Sequence, residues 1–396
     1  MAFFKALGDA SNLDILVGQM DNVRYMGLSA LKNSDVLAGI SILAGDIASS
    51  PVRLLQKNGS GEYDEELDYL LNIKPNNVMN AYDFKFSLIV NAITCGNGYA
   101  VIRRFREKPI QLDFIKPSNV VIEQDTKTHD VYYRISFYQN REEILPASDV
   151  LHLKFFTTDG IQGRSCLLSL EDEIAMQENG IQTLRNFFRK GLAGGILRMK
   201  SGRLSTEAKR KVREEFDKAQ YSTEGASTTL ILDQTMDFEP LQIDTNVLQL
   251  INSNNFSTAQ IAKALMIPGY KLGVNSPNQS VSQLNADYVT NSLNYYFSFM
   301  SSEFNVKLMD YRAALTSEFV FNTDRILQSD REAFTKNVID QKNAGIITTN
   351  KARSLLGYAR FDSEEADKLL TSLNYTTLDQ LAAYQLSKGG DKNEQT

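Results

Sequence analysis

The sequence predicts an α+β fold, and three observations carry that prediction. Apolar residues recur at helical spacing in well-bounded segments, of which Val36, Ile40, Leu43 and Ile47 form the first. Five short strand-like runs then follow in quick succession between Tyr99 and Phe155. Further on, two long helical patterns flank a compact insert of mixed strand and helix character. Helices covering an antiparallel-leaning sheet are the layer arrangement that this order allows.

The first helix spans 35–49, and Pro51, which has no amide hydrogen and a fixed φ, ends it before a strand at 52–56. Asn58-Gly59-Ser60-Gly61 reads as a turn. A short acidic helix covers 65–71, and a longer one runs from 81 to 95 with Phe84, Leu88 and Ala92 on one side. The five strands are 99–105, 111–115, 120–123, 131–137 and 150–155. Leu167, Leu170, Ile174, Ile181, Leu184 and Phe188 keep close to a seven-residue register, which makes a long helix with one apolar stripe that Gly191, Gly194 and Gly195 end. The insert reads as a strand at 196–199, a helix at 206–220, and strands at 229–232 and 238–242. A second long helix at 246–265 follows it, so the insert is held at the tip of two helices. A third covers 282–309. Beyond Phe321 the pattern changes to short helices at 331–343, 350–356 and 363–372, and the closing LSKGGDKNEQT is polar enough to be disordered.

A chain of 396 residues at 42% hydrophobic content can bury a sizeable core, and its formal charge of −6 argues against a DNA binder with a basic face. Cys95 and Cys166 have neither metal nor redox spacing and read as reduced thiols. His129 and His152 are the only histidines, which rules out a zinc site built from several imidazoles. His152 lies in DVLHLKFF, where strand alternation makes it a satisfied structural histidine before it makes it a catalytic base. Glu142-Glu143, Glu171-Asp172 and Glu214-Glu215 are sequence neighbours whose side chains diverge, so none makes an acid/base pair. In CGNGYAVI the order is helix, glycines, strand, the reverse of a phosphate-binding loop, and a helix cap with a tight turn is expected. No G-x-x-x-x-G-K-[ST] run occurs. No stretch has the ~18 consecutive apolar residues of a membrane span, and the N-terminus lacks a signal-peptide pattern, so a soluble protein is expected. No catalytic residue, metal or cofactor is expected.

Two segments carry the candidate functional residues. In IAKALMIPGYKLGVNSPNQSVSQ, Pro268-Gly269 should halt a helix, with Gly269 tolerating the left-handed turn, and a polar loop follows. Asn275, Ser276, Asn278, Gln279 and Ser280 offer hydrogen bonds without fixed charge, and Lys271 is the nearby cation. Between Arg185 and Arg213 there are ten basic residues against one acid, Glu207. Those on the insert are Arg198, Lys200, Arg203, Lys209, Arg210, Lys211 and Arg213. They read as a solvated face, or as a docking surface for an acidic partner or phosphate. A third reading is an interface between copies, because Asp233, Asp237, Glu239 and Asp244 reverse the sign just afterwards.

Seven segments in the same order resemble the portal, or head-to-tail connector, proteins of tailed bacteriophages, specifically the short Hong-Kong-phage type. They are ILAGDIASSPVRLL, LLNIKPN, GNGYAVIRR, LDFIKPSNV, LPASDVLHLKFFTTDGIQGRS, IAKALMIPGYKLG and AGIITTNKAR, which together cover roughly 35–356. The chain departs from the family at Gly269, where a second proline is common, and at Lys351, where an acidic residue is common. The resemblance implies a ring, usually of twelve subunits, at one capsid vertex. It implies an N-terminal extension (1–34), a wing (35–166 and 283–328), stem helices (167–195 and 243–267), a clip (196–242), a tunnel loop (268–282), a crown (329–385) and a tail (386–396). It implies that the tunnel loop lines a channel for double-stranded DNA bound without sequence preference. The clip would dock the terminase large subunit and later a head-completion or tail adaptor, while the major capsid protein or a scaffold meets the ring during assembly. The expected location is the virion, reached through the bacterial cytoplasm. A prophage-derived structural adaptor, or a hydrolase using His152, are the alternatives.

Overall fold

The structure is a computed structural model. It describes residues 13–17, 27–56, 64–137, 141–189, 195–199, 205–207, 209–212, 214, 236–240, 245–274, 278–327 and 331–369. The turn at 58–61, the strand at 229–232 and the tail at 386–396 lie outside the described residues, as does the end of the helix expected to reach 220.

After a strand, β1 (Leu13–Val17), helix α1 (Ser34–Ser49) starts where Asn33 accepts hydrogen bonds from the backbone N–H groups of Asp35 and Val36. Val36, Ile40, Leu43 and Ile47 are all buried, as their spacing demands. Strand β2 (Val52–Gln56) leads to α2 (Glu65–Asn72), capped by Asp64, and the amide of Asn72 bonds both backbone groups of Val52. Helix α3 (Ala81–Cys95) packs on α1 and ends at Gly96, whose φ is 81°. A Cβ there would also come within 2.6 Å of the Arg164 backbone, so both conformation and space require glycine. The GNG turn is thus a helix cap, as its order predicts.

Strands β3 (Asn97–Phe105), β4 (Lys108–Ile115), β5 (Val120–Asp125), β6 (Val131–Ser136), β7 (Glu142–Pro146) and β8 (Val150–Lys154) build two antiparallel sheets. One has the order β4-β3-β8, the other β1-β5-β6-β7. Tyr99, Val101, Ile115, Val120, Ile122, Tyr133, Ile135 and Val150, contributed by both sheets, form one buried cluster. The edge strands β1 and β7 are absent from the sequence reading. EEILP has no apolar alternation, and β1 is defined by pairing with a strand a hundred residues away. The small strands β9 (Phe156–Thr157) and β10 (Gly163–Arg164) follow.

A 3-10 turn, Cys166–Leu170, precedes α4 (Glu171–Arg189), so the first long helix starts later than its apolar stripe. Strand β11 (Gly195–Met199) pairs antiparallel with β12 (Met236–Pro240), and the second long helix, α5 (Thr245–Ala264), packs against α4. The helix expected over 282–309 is two helices, α6 (Val281–Tyr288) and α7 (Asn294–Leu308), joined by a π-helical turn, Val289–Leu293. A single inserted residue leaves the local 3.6-residue pattern on either side intact, so periodicity misses it. Helix α8 (Tyr311–Thr316) leads into β13 (Ser317–Phe321), which closes an antiparallel ribbon with β2.

Three short helices follow, α9 (Asp324–Leu327), α10 (Arg331–Asn343) and α11 (Thr349–Leu355). The helix expected at 363–372 is only a 3-10 turn, Glu364–Asp367, because Lys368 is already extended at φ −91° and ψ 147°. Asn350 holds this end of the chain by bonding the backbone of Phe361 and the carboxylate of Asp367. The chain divides into two compact units, one from 1–277 and 291–321, the other from 278–290 and 322–396.

Candidate functional site

The helix pair that carries the insert is anchored at the start of α1. One carboxylate oxygen of Asp35 accepts from Gln177 Nε2 on α4 (2.6 Å) and from the Thr258 hydroxyl on α5. Asn33 Nδ2 donates to Gln177 Oε1 (2.7 Å), and Asn33, Gln177 and Thr258 are all buried. Polar groups at such a crossing must be satisfied together, so they define how α4 and α5 sit on α1. These residues are missed by sequence reasoning, because each looks like an ordinary polar position until the helices cross.

The loop after α5 begins with a Schellman motif. The N–H of Ile267 donates to the carbonyl of Ala262 (2.9 Å) and that of Met266 to Lys263 (3.0 Å), with Met266 at φ 54°. The left-handed residue is therefore Met266 and not Gly269 as the sequence reading has it. The two bonds fix the backbone there whatever side chain it bears. Pro268 then opens a 3-10 turn, Gly269–Leu272, closed by Gly273 at φ 78°. This turn is seated on α1: a Cβ on Gly39 would stand 2.6 Å from Leu265 Cδ1. Lys271 Nζ lies 3.9 Å from Asp46 of α1, so its charge already has an intramolecular partner. Asn278, Gln279 and Ser280 are exposed, and Ser280 forms a capping box with Gln283 at the start of α6. Asn275 and Ser276 lie outside the described residues. Lys271 and the Asn278–Ser280 stretch fall in different units.

In the insert, Arg198 occupies the β11 position opposite Asp237 of β12, and Ile196 faces Glu239. Lys209, Arg210 and Lys211 are exposed on helical turns, and Arg210 reaches only the equally exposed Glu214, at 3.7 Å. An exposed pair of that kind adds little stability, so these charges are available to something else. Lys200, Arg203 and Arg213 lie outside the described residues, as do Asp233 and Asp244.

His152 is 2% exposed and sits between the two sheets. Its Nε2 is 2.8 Å from Asn97 Oδ1, which also accepts from the Gly163 N–H at 2.7 Å. The Asn97 amide nitrogen meanwhile donates to the carbonyl oxygens of Cys95 and Gly163. An oxygen acceptor there requires the proton on Nε2, so Nδ1 accepts from the Tyr133 hydroxyl at 2.9 Å. Burial, then the charges of Lys154 and Lys307, hold the ring well below its ordinary value, so it is neutral. The carboxylate it meets, Glu303, accepts from its backbone N–H and leaves the ring alone. With both ring nitrogens occupied inside the core, this is a structural histidine and gives no support to a hydrolase. Among the described residues no three His, Cys, Asp or Glu side chains come together as a metal site. No described helix is long and apolar enough to cross a membrane.

Residues 34–357 match the model of the phage portal protein family. The chain belongs to that family. The portal protein of Escherichia phage T5 is 23% identical over 80% of this chain and 76% of its own. That of Enterobacteria phage HK97 is 23% identical over 83% of this chain and 81% of its own. A chain from the neck of a native gene transfer agent particle, computed with C12 symmetry, shares the fold with a TM-score of 0.58 at 16% identity. That match covers 88% of this portal-family chain and 96% of the other.

Proposed function

We propose that copies of this protein close into a twelvefold ring at one vertex of a capsid and form the conduit through which double-stranded DNA is packaged and ejected. The observation that carries this reading is the family match, which runs continuously through the sheets, the helix pair, its insert and the loop after α5. In this reading residues 35–166 and 283–328 are the wing, α4 and α5 the stem, 196–242 the clip, 268–282 the tunnel loop and 329–385 the crown. The work is done by geometry and weak contact.

Charge supports the division of labour. Each phosphate neutralised by Lys or Arg adds salt-dependent affinity, which would stall a moving duplex. The exposed residues Asn278, Gln279 and Ser280 carry no charge, and Lys271 is held near Asp46, so the segment assigned to the channel offers little fixed positive charge. The exposed Lys209, Arg210 and Lys211 are assigned to docking the terminase large subunit during packaging and the head-completion or tail adaptor afterwards. The major capsid protein or a scaffold meets the ring as the shell is built in the host cytoplasm. Shortening residues 276–280 should leave rings intact and lower DNA packaging or retention. Unaltered packaging by such a variant contradicts the channel assignment.

The likeness to a gene transfer agent neck favours one second reading, a phage-derived structural adaptor that serves a particle of that kind. Neighbouring genes for terminase, protease and capsid proteins separate a packaging portal from an adaptor that has lost its phage.

A further inference from the structure

Two exposed apolar features in the larger unit have complementary shape and charge. The first is concave. Helix α2 and the β3–β4 hairpin enclose a groove of about 660 Å3 whose walls include Tyr69, Phe105, Ile110 and Pro109. Phe105 is 62% exposed and Ile110 56%, values that leave a hydrophobic surface open to water. Its α2 rim carries Glu65 and Glu66. Glu66 is paired with Lys108 at 3.4 Å, whereas Glu65 has no ion pair among the described residues. The second feature is convex. Helix α8 presents Tyr311 at 80% and Leu315 at 59% exposure, one turn apart on the same face. Arg312 beside them is exposed and likewise has no ion pair among the described residues.

We propose that the α8 knob of one copy, Tyr311, Arg312 and Leu315, seats in the α2 groove of the next copy, with Arg312 meeting Glu65. A closed ring is built from heterologous contacts, in which each copy offers two different patches, one to each neighbour. A groove and a knob of opposite charge on one chain meet that requirement. A tyrosine and an arginine at the centre of an apolar contact are the side chains that most often anchor one. The inference rests on the ring reading and deepens it by naming the surface that joins neighbours.

Charge reversal separates the possibilities. Assembly is read by native mass spectrometry and negative-stain images at one fixed protein concentration, and folding by circular dichroism and the melting temperature. Glu65→Arg and Arg312→Glu should each lower the fraction in rings by about tenfold without moving the melting temperature, and the two together should restore it. Tyr311→Asp should also abolish rings while the subunit stays folded. Single reversals that assemble like the natural protein, or a combined variant that stays dissociated, overturn the contact while leaving the ring reading in place. Loss of capsid or scaffold binding with intact rings overturns it too, by assigning the groove to that partner. If the natural protein forms no ring, both readings fall.

Discussion

The two-sheet layer and the helix pair with its insert use polar residues in opposite ways. In the layer, His152, Asn97 and Tyr133 saturate one another inside the core, and every bond they make is internal. On the insert, Lys209, Arg210 and Lys211 face water with one weak partner among them. The first arrangement fixes a shape, and the second leaves charge unspent for association. Substitutions in the layer should therefore change stability, and substitutions in the insert should change binding.

The sharpest way to break that comparison lies at Gly163, where a Cβ would stand 2.0 Å from the carbonyl oxygen of Gly96. No flexible side chain can give way there, so Gly163→Ala should cost about 3 kcal/mol in chemical denaturation. A change within about 0.5 kcal/mol would show that the layer is looser than its contacts indicate.

Next in size is His152→Phe, which leaves Asn97 and Tyr133 with buried unmet polar groups and should cost about 2 kcal/mol. The effect has a pH signature. The folded ring is held well below its ordinary value, so the unfolded chain binds the proton first. The stability is therefore full above about pH 6.5 and is lost as pH falls below it, with a slope of at most about 1.4 kcal/mol per pH unit. His152→Phe should remove that slope relative to the natural protein, and an unchanged slope would place the ring in water.

Lys85 tests the layer from the other side. It is buried on α3, its Nζ donates to the Ser50 carbonyl at 2.9 Å, and burial lowers its pKa to about 8. A depressed lysine takes its proton more readily in the unfolded chain, so stability rises with pH between about 8 and 10.5. Lys85→Met should flatten that rise and stabilise the protein at pH 7 by about 1 kcal/mol. A fall in stability would mean that the bond to Ser50 outweighs desolvation.

The smallest effect on stability, and the largest contrast with the layer, belongs to the insert. Reversing Lys209, Arg210 and Lys211 to Glu should move the unfolding free energy by no more than about 0.5 kcal/mol while weakening partner docking. Loss of solubility or folding would return these residues to a structural role.

Legibility in the sequence follows the same division. Helices α1, α3 and α10 are readable almost to the residue, because apolar spacing, a capping Asn at 33 and 80, and Gly96 all act locally. Strands β3 to β6 and β8 are readable for their alternation. What escapes is set by partners far away in the chain: β1 and β7 at the sheet edges, and the anchor of Gln177 and Thr258 on Asp35. The π-helical turn at Val289–Leu293 and the left-handed Met266 escape for another reason, since neither changes the pattern of residue types. At the candidate site the uncharged loop residues and the exposed lysines are visible as composition. The pairing of Lys271 with Asp46 and the cap made by Ser280 needed three dimensions.

The central claim is that this chain does its work as one wedge of a closed ring, and direct imaging of the purified protein tests it. Negative-stain images should show rings with a central hole and, on averaging, twelvefold symmetry. Particles that remain single subunits at every concentration, or that associate without a central opening, would contradict it.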